Sequence, residues 1–125
     1  MRPTLRRSSD FDLVYSQGRK ATCAALVMFH LESAPDRRVA FVASRKVGIA
    51  VLRNRAKRLM RVAFAEIEAS TPSLPGWVVL VARRDITTLK SGAVTELLRT
   101  LLAAPPKADE LRHSESTRRD AGSRT

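Results

Sequence analysis

One stretch, SRKVGIAVLRNRAKRLMRVAF at positions 44–64, constrains the fold more than any other part of the sequence. Its apolar residues recur with i, i+4, i+7, i+8 spacing, which places them on one arc of a helix. We therefore expect a helix from roughly Ala50 to Ala69 that buries this arc against another layer of the protein. The arc consists of Leu52, Ala56, Leu59, Met60, Ala63, Phe64 and Ile67.

The rest of this helix carries only positive charge. Positions 37–65 hold nine lysine or arginine residues and no aspartate or glutamate. A solvent-exposed helix face usually mixes both signs, because oppositely charged i, i+4 pairs stabilise a helix and like-charged pairs destabilise it. A face of one sign predicts a polyanionic partner, and arginine binds phosphate in a two-point geometry. At about 100° per residue, the cations opposite the apolar arc are Arg55, Lys57, Arg58 and Arg61, with Arg53 at its edge.

Shorter elements surround this helix. A segment with a serine N-cap and a terminal glycine predicts a helix from about Ser9 to Gln17. Two strand-like runs, Ala24–Glu32 and Arg37–Ser44, are separated by the turn signal SAPD, so we expect them to form a hairpin. The run WVVLVARR from Trp77 is typical of a strand covered on both faces, and Leu89–Ala103 predicts a closing amphipathic helix. The order α-β-β-α-β-α indicates an α+β sandwich with helices packed on a small sheet.

Length and charge limit the chain to one small basic domain. It has 125 residues and a net charge of +11, of which the first 104 residues hold +10, because the segment from 105 onward has five basic and four acidic residues. We expect a single RNA-binding domain over residues 1–104 and a flexible tail over 105–125. The single cysteine excludes an internal disulfide, and we find no secretory signal or long apolar run, so we expect a soluble, cytoplasmic protein.

Other functions of a basic amphipathic helix fit the sequence less well. Helix-turn-helix spacing is absent, and the apolar arc is needed to cover strands rather than to enter a membrane surface. The 12 acidic residues are scattered, and neither a phosphate-binding glycine loop nor a Ser/His/Asp set occurs, so the chain does not look like a nuclease by itself. RNA binding is the favoured function, and any chemistry is expected to come from the partner.

The segment RKVGIAVLRNRAKRLMR resembles the signature of the bacterial ribonuclease P protein family, with its basic pair, Gly, Ala-Val, Arg-Asn-Arg, Lys-Arg and final Arg in the same order. Similarity to the family's opening helix and last strand extends the resemblance over about residues 5–103. It implies an α+β two-layer sandwich of order α-β-β-β-α-β-α with a left-handed βαβ crossover, similar to a domain of a small-subunit ribosomal protein and of elongation factor G. The extra strand would come from splitting the predicted hairpin, although a short strand at 19–22 is also compatible with the sequence.

The resemblance also implies a function. In that family an RNA subunit hydrolyses the phosphodiester that precedes mature tRNA with Mg²⁺ that is bound mainly by the RNA. The protein is its cofactor, has no catalytic residue of its own, and is expected to favour productive Mg²⁺ binding. The arginine-rich helix and its preceding loop are expected to bind the RNA subunit through Arg45, Lys46, Arg53, Asn54, Arg55, Lys57, Arg58 and Arg61. A cleft between the first helix and the sheet is expected to hold the single-stranded 5′ leader of precursor tRNA through Phe11, Tyr15 and Phe29, with Arg19 and Lys20 on leader phosphates.

The sequence leaves several alternatives open. Spacing alone also allows the three cleft aromatics to be core residues, and we expect Val14 to be core in either case. Ile49 stands where the family often has Asn, and Trp77, at a position that is commonly acidic, is expected to be packed rather than stacked on RNA. No obligate protein partner is evident. A non-catalytic RNA-binding module of ribosomal or RNA-chaperone type would share the basic helix but would not need an aromatic cleft.

Overall fold

A computed structural model of the chain describes residues 3–72 and 74–103, and it confirms the predicted α+β class. The elements follow the order α-β-β-β-α-β-α, with one short 3-10 helix, η1, before the last α-helix. They are α1 (Ser8–Gln17), β1 (Arg19–Thr22), β2 (Leu26–Leu31), β3 (Arg38–Val42), α2 (Ala50–Ser70), β4 (Trp77–Ala82), η1 (Arg84–Thr88) and α3 (Ser91–Ala103). The tail predicted over 105–125 lies outside the described residues.

The four strands form one mixed sheet in the order β1-β2-β4-β3. β2 is antiparallel to both β1 and β4, whereas β3 is parallel to β4. The crossover from β3 to β4 runs through α2, as a parallel connection requires. β4 is central, and its run of buried side chains confirms the prediction of a strand covered on both faces.

The predicted hairpin between β2 and β3 is wrong. These two strands do not pair, because β4 lies between them and hydrogen-bonds to both. The turn signal at SAPD marks a change of direction, but it does not determine which strands become neighbours. β4 has the most continuous apolar run, so a central position in the sheet buries more apolar surface for β4 than it would for another strand. The additional strand is β1, so it does not arise from splitting the predicted hairpin.

The larger core lies between the sheet and the helices α2 and α3. Met28, Val78 and Leu80 point to this side of the sheet. Met60 and Phe64, from the apolar arc of α2, are almost completely buried against it. The arc is buried from Ala56 onward as predicted, and only its first member, Leu52, is half-buried. Burial of this arc fixes the orientation of the whole helix.

The opposite face of the sheet is covered in part by α1. Val14 is fully buried there against Leu31, Trp77 and Val79, which confirms its predicted place in the core. The two-layer description therefore fits the sheet with α2 and α3, while α1 adds a short helix on the other face. Toward the carboxyl end of β4, three side chains on the α1 face are only half-buried: Val27, Val42 and Val81.

Trp77 is a packed residue, as predicted, and it is tied to a carboxylate. Its side chain is 7% exposed, and its indole N–H donates to Asp36 Oδ1 over 2.6 Å. Arg38 Nε donates to the same carboxylate over 3.1 Å. The hydrogen bond from Trp77, together with the charge and hydrogen bond of Arg38, holds the pKa of the Asp36 carboxyl below its usual value of 3.8.

A lowered pKa means that this interaction stabilises the fold above the usual carboxyl pKa and is lost as the pH falls through the folded-state pKa. Trp77 is the only tryptophan, so its fluorescence should change with a midpoint below pH 3.8. The substitution Asp36→Asn should abolish that transition, whereas Asp85→Asn, at an exposed acid in η1, should leave it unchanged. A midpoint at or above the usual value, or an unchanged transition in Asp36→Asn, would contradict this assignment.

Candidate nucleic-acid interface

The start of α2 is an unusually positive helix terminus. Its N-cap residue, Ile49, provides no side-chain hydrogen bond, and the first turn contains no acid. The first backbone N–H groups of a helix and its macrodipole already favour anions. Arginine and lysine rather than acidic residues lie beside this terminus. Most helices place acidic side chains there, which offset the positive end of the macrodipole. Such a terminus is suited to phosphate.

The predicted RNA-subunit residues lie along one side of α2 and in the loop before it. Those that are exposed are Arg45, Lys46, Asn54, Arg58 and Arg61, whereas Arg53, Arg55 and Lys57 are half-buried. Together with Val51, the side chains of Asn54, Arg55, Lys57, Arg58 and Arg61 line an open depression of about 400 Å³. The structure therefore brings most of the predicted set onto one cationic surface. We call this surface, together with the loop before it, the α2 basic face: Arg45, Lys46, Arg53, Asn54, Arg55, Lys57, Arg58 and Arg61.

Two arginines on this face also hold the fold together. Arg53 Nη1 donates to the carbonyl of Gly48 over 3.0 Å. Arg55 Nε donates to the carbonyl of Thr87 over 3.2 Å, and its Nη2 reaches the carbonyl of Leu89 at 3.5 Å. Arg55 thus does not project freely opposite the apolar arc, as the helical periodicity predicted. The reason is that η1 packs beside α2, a neighbour that the sequence does not reveal.

The loop before α2 presents its two cations through a specific backbone conformation. Val47 is 2% exposed and anchors the loop in the larger core. Gly48 has φ of 144°, a conformation that L side chains rarely adopt, and a Cβ there would come within 2.7 Å of Leu52 Cδ1. Glycine therefore allows the chain to turn sharply from β3 into α2. Arg45 and Lys46 are left exposed at the outside of this turn.

The three predicted cleft aromatics form one contiguous cluster between α1 and the sheet. The ring centroids of Phe11 and Tyr15 are 6.1 Å apart, and those of Tyr15 and Phe29 are 4.8 Å apart in an edge-to-face arrangement. Tyr15 is 41% exposed, and the other two rings are half-buried. Burial and the nearby charge of Asp12 raise the pKa of the Tyr15 hydroxyl, so it stays protonated and can donate a hydrogen bond.

The two cations predicted for this cleft lie on opposite faces of the sheet. Lys20 is paired with Phe29 across the strands, and its Nζ is 5.8 Å from the centroid of that ring. Arg19 is on the other face, where its Nη2 donates to the carbonyl of Leu101 in α3 over 3.2 Å. Adjacent residues of a strand point to opposite faces, so the structure separates Arg19 from the cleft.

The sequence interpretation missed the floor of the cleft. Val27, Val42 and Val81 are cross-strand neighbours on the face that also carries Phe29, and each is half-buried. The sequence carries no signal for them, because β2, β3 and β4 are apolar on both faces, and only the strand register brings them together. They extend the aromatic cluster toward the carboxyl end of β4, and we call the combined surface the aromatic cleft: Phe11, Tyr15, Phe29, Val27, Val42 and Val81.

Within residues 3–72 and 74–103, no three His, Cys, Asp or Glu side chains come together in a way that could hold a metal ion. In the same part of the chain, no helix combines the length and the apolar character needed to cross a membrane. The residues present on these surfaces can bind anions through arginine and lysine, and flat or apolar groups through the aromatic cleft.

Comparison with known proteins gives a consistent picture. The family model described as Ribonuclease P matches residues 2–105. The ribonuclease P protein component of Nitratiruptor is 40% identical over 80 residues, which is 64% of this chain and 71% of the relative. That of Pelotomaculum thermopropionicum is 37% identical over 100 residues, covering 78% of this chain and 88% of the relative. The solved ribonuclease P protein of Thermotoga maritima is 26% identical with a TM-score of 0.68, over 83% of this chain and 99% of that one.

Whether Arg55 stabilises the fold and Arg58 does not can be tested by unfolding the protein without RNA. Arg55→Gln should lower the free energy of unfolding by about 1–2 kcal/mol, because it removes charge-assisted hydrogen bonds to the carbonyls of Thr87 and Leu89. Arg58→Gln, at an exposed position on the same helix, should change it by no more than about 0.5 kcal/mol. Urea unfolding measures both. Equal effects of the two substitutions would contradict a structural role for Arg55.

Proposed function

Because the chain belongs to the ribonuclease P protein family, and so is a protein component of a tRNA-processing ribonucleoprotein nuclease, we propose that it binds two RNAs at once. The α2 basic face binds the RNA subunit, and the aromatic cleft binds the single-stranded 5′ leader of precursor tRNA. Cleavage takes place on the RNA, and this chain supplies no catalytic residue. It acts where tRNA precursors are made, in the cytoplasm.

The RNA subunit is bound mainly through phosphates. Arg45 and Lys46 on the loop and Arg58 and Arg61 on α2 are exposed, so their charged ends are available for phosphate oxygens. Arg53 and Arg55 also make backbone hydrogen bonds, and each guanidinium keeps further donors for RNA. Binding neutralises about six phosphates and releases their counterions. The affinity for the RNA subunit is therefore expected to fall roughly 10³-fold as the salt concentration rises from about 50 to 200 mM.

The leader is held by stacking rather than by base-specific hydrogen bonds. The observation that carries this proposal is the contiguous, partly exposed cluster of Phe11, Tyr15 and Phe29, with Lys20 beside it. Aromatic rings stack on any base, at about 1–3 kcal/mol per base. That tolerance suits an enzyme that processes precursors with different leaders. The 41% exposure of Tyr15 leaves part of its ring accessible to a base.

The Mg²⁺ that the family resemblance implies is assigned to the RNA. Among residues 3–72 and 74–103, no three His, Cys, Asp or Glu side chains form a cluster that could hold a metal ion. The chain lowers the charge repulsion between two RNAs and fixes the leader relative to the RNA subunit. Such positioning converts an encounter between substrate and catalyst into a prearranged geometry.

The leader-binding surface can be tested with a matched pair of substitutions on α1. In the reconstituted holoenzyme, Tyr15→Ala should weaken binding of a precursor with an intact leader by about 1–3 kcal/mol, because one stacking platform is lost. Binding of a precursor with a one-nucleotide leader should not change. The control is Leu13→Ala, at a 36% exposed position of the same helix, which should alter neither affinity. An equal loss for both substrates in Tyr15→Ala would argue for a core role instead.

The salt dependence of binding tests the α2 basic face separately. Arg58→Gln should reduce the slope of log affinity against log salt for the RNA subunit by about 0.9, because one phosphate contact disappears. Arg99→Gln on α3 removes the same charge from a position that is 47% exposed and 3.8 Å from Glu96, and it should leave the slope unchanged. If both variants changed the slope equally, only the net charge of the chain would matter, and a generic RNA-binding module would explain binding as well.

A further inference from the structure

The start of α2 carries two apolar side chains that the fold leaves uncovered. Val51 is 71% exposed, and Ile49, the N-cap residue, is 69% exposed. The other exposed large apolar side chains in the described part of the chain are between 36% and 41% exposed: Leu13, Tyr15 and Val62. Single exposed apolar residues are ordinary on protein surfaces, but here the two most exposed ones are two positions apart. We call this pair the apolar tip of α2.

The residue types of the apolar tip are unfavourable for the helix itself. Ser, Thr, Asp or Asn at an N-cap would satisfy a free backbone N–H, whereas Ile49 makes no side-chain hydrogen bond there. Val51 is β-branched and has a lower helix propensity than alanine or leucine. Neither side chain is compensated by burial within the chain. The stability of the protein alone therefore does not explain the apolar tip, whereas burial against a partner would.

The surroundings of the apolar tip are cationic. Arg53 Nη1 donates to the carbonyl of Gly48, the residue directly before Ile49. Positions 37–65 contain no acidic residue. Val51 lines the open depression together with Asn54, Arg55, Lys57, Arg58 and Arg61. A partner that covers the apolar tip must therefore combine negative charge with accessible apolar surface.

An unpaired segment of a folded RNA has both properties. An A-form duplex has a major groove that side chains cannot enter, and it presents phosphates and ribose hydroxyls, so the apolar tip would gain little from a duplex. An unstacked base exposes a flat face that protein side chains can cover, with a phosphate on either side. An anionic membrane also combines charge with apolar surface, but the large apolar arc of α2 is buried in the core. Two side chains then leave little apolar area for insertion.

We propose that the apolar tip packs against the base of an unpaired nucleotide of the RNA subunit, and that cations of the α2 basic face bind the phosphates on either side of that nucleotide. This inference rests on the proposed function of the α2 basic face and adds a source of specificity to it. Phosphate contacts position a protein on a nucleic acid but do not identify the site. An apolar contact that requires an unstacked base distinguishes the RNA subunit from duplex RNA.

The test uses two variants that remove apolar surface without changing charge, Ile49→Ser and Val51→Ala. Serine is a better N-cap than isoleucine, and alanine is a better helix former than valine, so neither variant should lower the midpoint of urea unfolding. Each should bind the RNA subunit roughly three- to tenfold more weakly at about 0.15 M salt, because contacts worth one or two buried methyl groups are lost. The slope of log affinity against log salt should not change, because no phosphate contact is removed.

Three comparisons make this test specific. A plain RNA duplex should bind the two variants as tightly as it binds the unmutated protein. Ile49→Leu and Val51→Ile keep the apolar surface and should retain the affinity for the RNA subunit. The matched control is Val62→Ala, on the same side of α2 and about 16 Å further along the helix, which should also retain it.

Chemical probing identifies the base that the apolar tip covers. With the unmutated protein bound, an unpaired base of the RNA subunit should be protected from dimethyl sulfate. With saturating amounts of a variant that combines Ile49→Ser and Val51→Ala, the same base should react again.

Four results would overturn the inference: unchanged affinity of both variants for the RNA subunit, an equal loss on duplex RNA, a changed salt slope, or an equally large loss in Val62→Ala. Binding to vesicles of phosphatidylglycerol and phosphatidylcholine that the combined variant loses, with unchanged RNA binding, would assign the apolar tip to a membrane surface instead. If the unmutated protein does not prefer the RNA subunit to the duplex, the proposed function of the α2 basic face itself fails. If the preference exists and both variants keep it, only the role of the apolar tip is wrong.

Discussion

Burial of the apolar arc of α2 is the interaction on which the rest of this structure depends. Each fully buried large side chain, such as Met60, Phe64 or Ile67, contributes about 1.5–3 kcal/mol. A like-charged i, i+4 pair costs only about 0.2–0.5 kcal/mol. Burial of the arc therefore outweighs the repulsion among the like charges on the opposite side of the helix. Binding of RNA phosphates would relieve this repulsion, so the same helix is both a structural element and the proposed binding surface for the RNA subunit.

The central position of β4 places the two proposed RNA-binding surfaces on one sheet. Its continuous apolar run is covered by α2 and α3 on one face and in part by α1 on the other. Because α1 has only ten residues, the face beneath it stays partly open, and this opening forms the floor of the aromatic cleft. The sheet thus fixes the spacing between the proposed sites for the RNA subunit and the leader, which is the contribution that a non-catalytic subunit can make.

Local patterns in the sequence predicted what depends on a single element. The span of α2 and its buried arc follow from periodicity, and the packing of Trp77 follows from its place where a strand leaves a turn. The aromatic cluster, which joins α1 to β2, was expected only from the family resemblance. Contacts between elements were harder to predict. The pairing of β2 with β4 is decided by competition among strands, Arg19 is displaced from the cleft by the register of β1, and Arg55 is drawn toward η1, which the sequence does not show as a neighbour.

The most direct test of this account is cleavage of a precursor tRNA by a bacterial ribonuclease P RNA at low Mg²⁺, with and without this protein, on substrates with intact and with shortened leaders. The account predicts that the protein restores cleavage at low Mg²⁺ and that the gain is larger for the intact leader, since both RNA-binding surfaces then contribute. Binding to the RNA subunit without any gain in cleavage would contradict it and would leave a basic RNA-binding protein that does not act as the subunit.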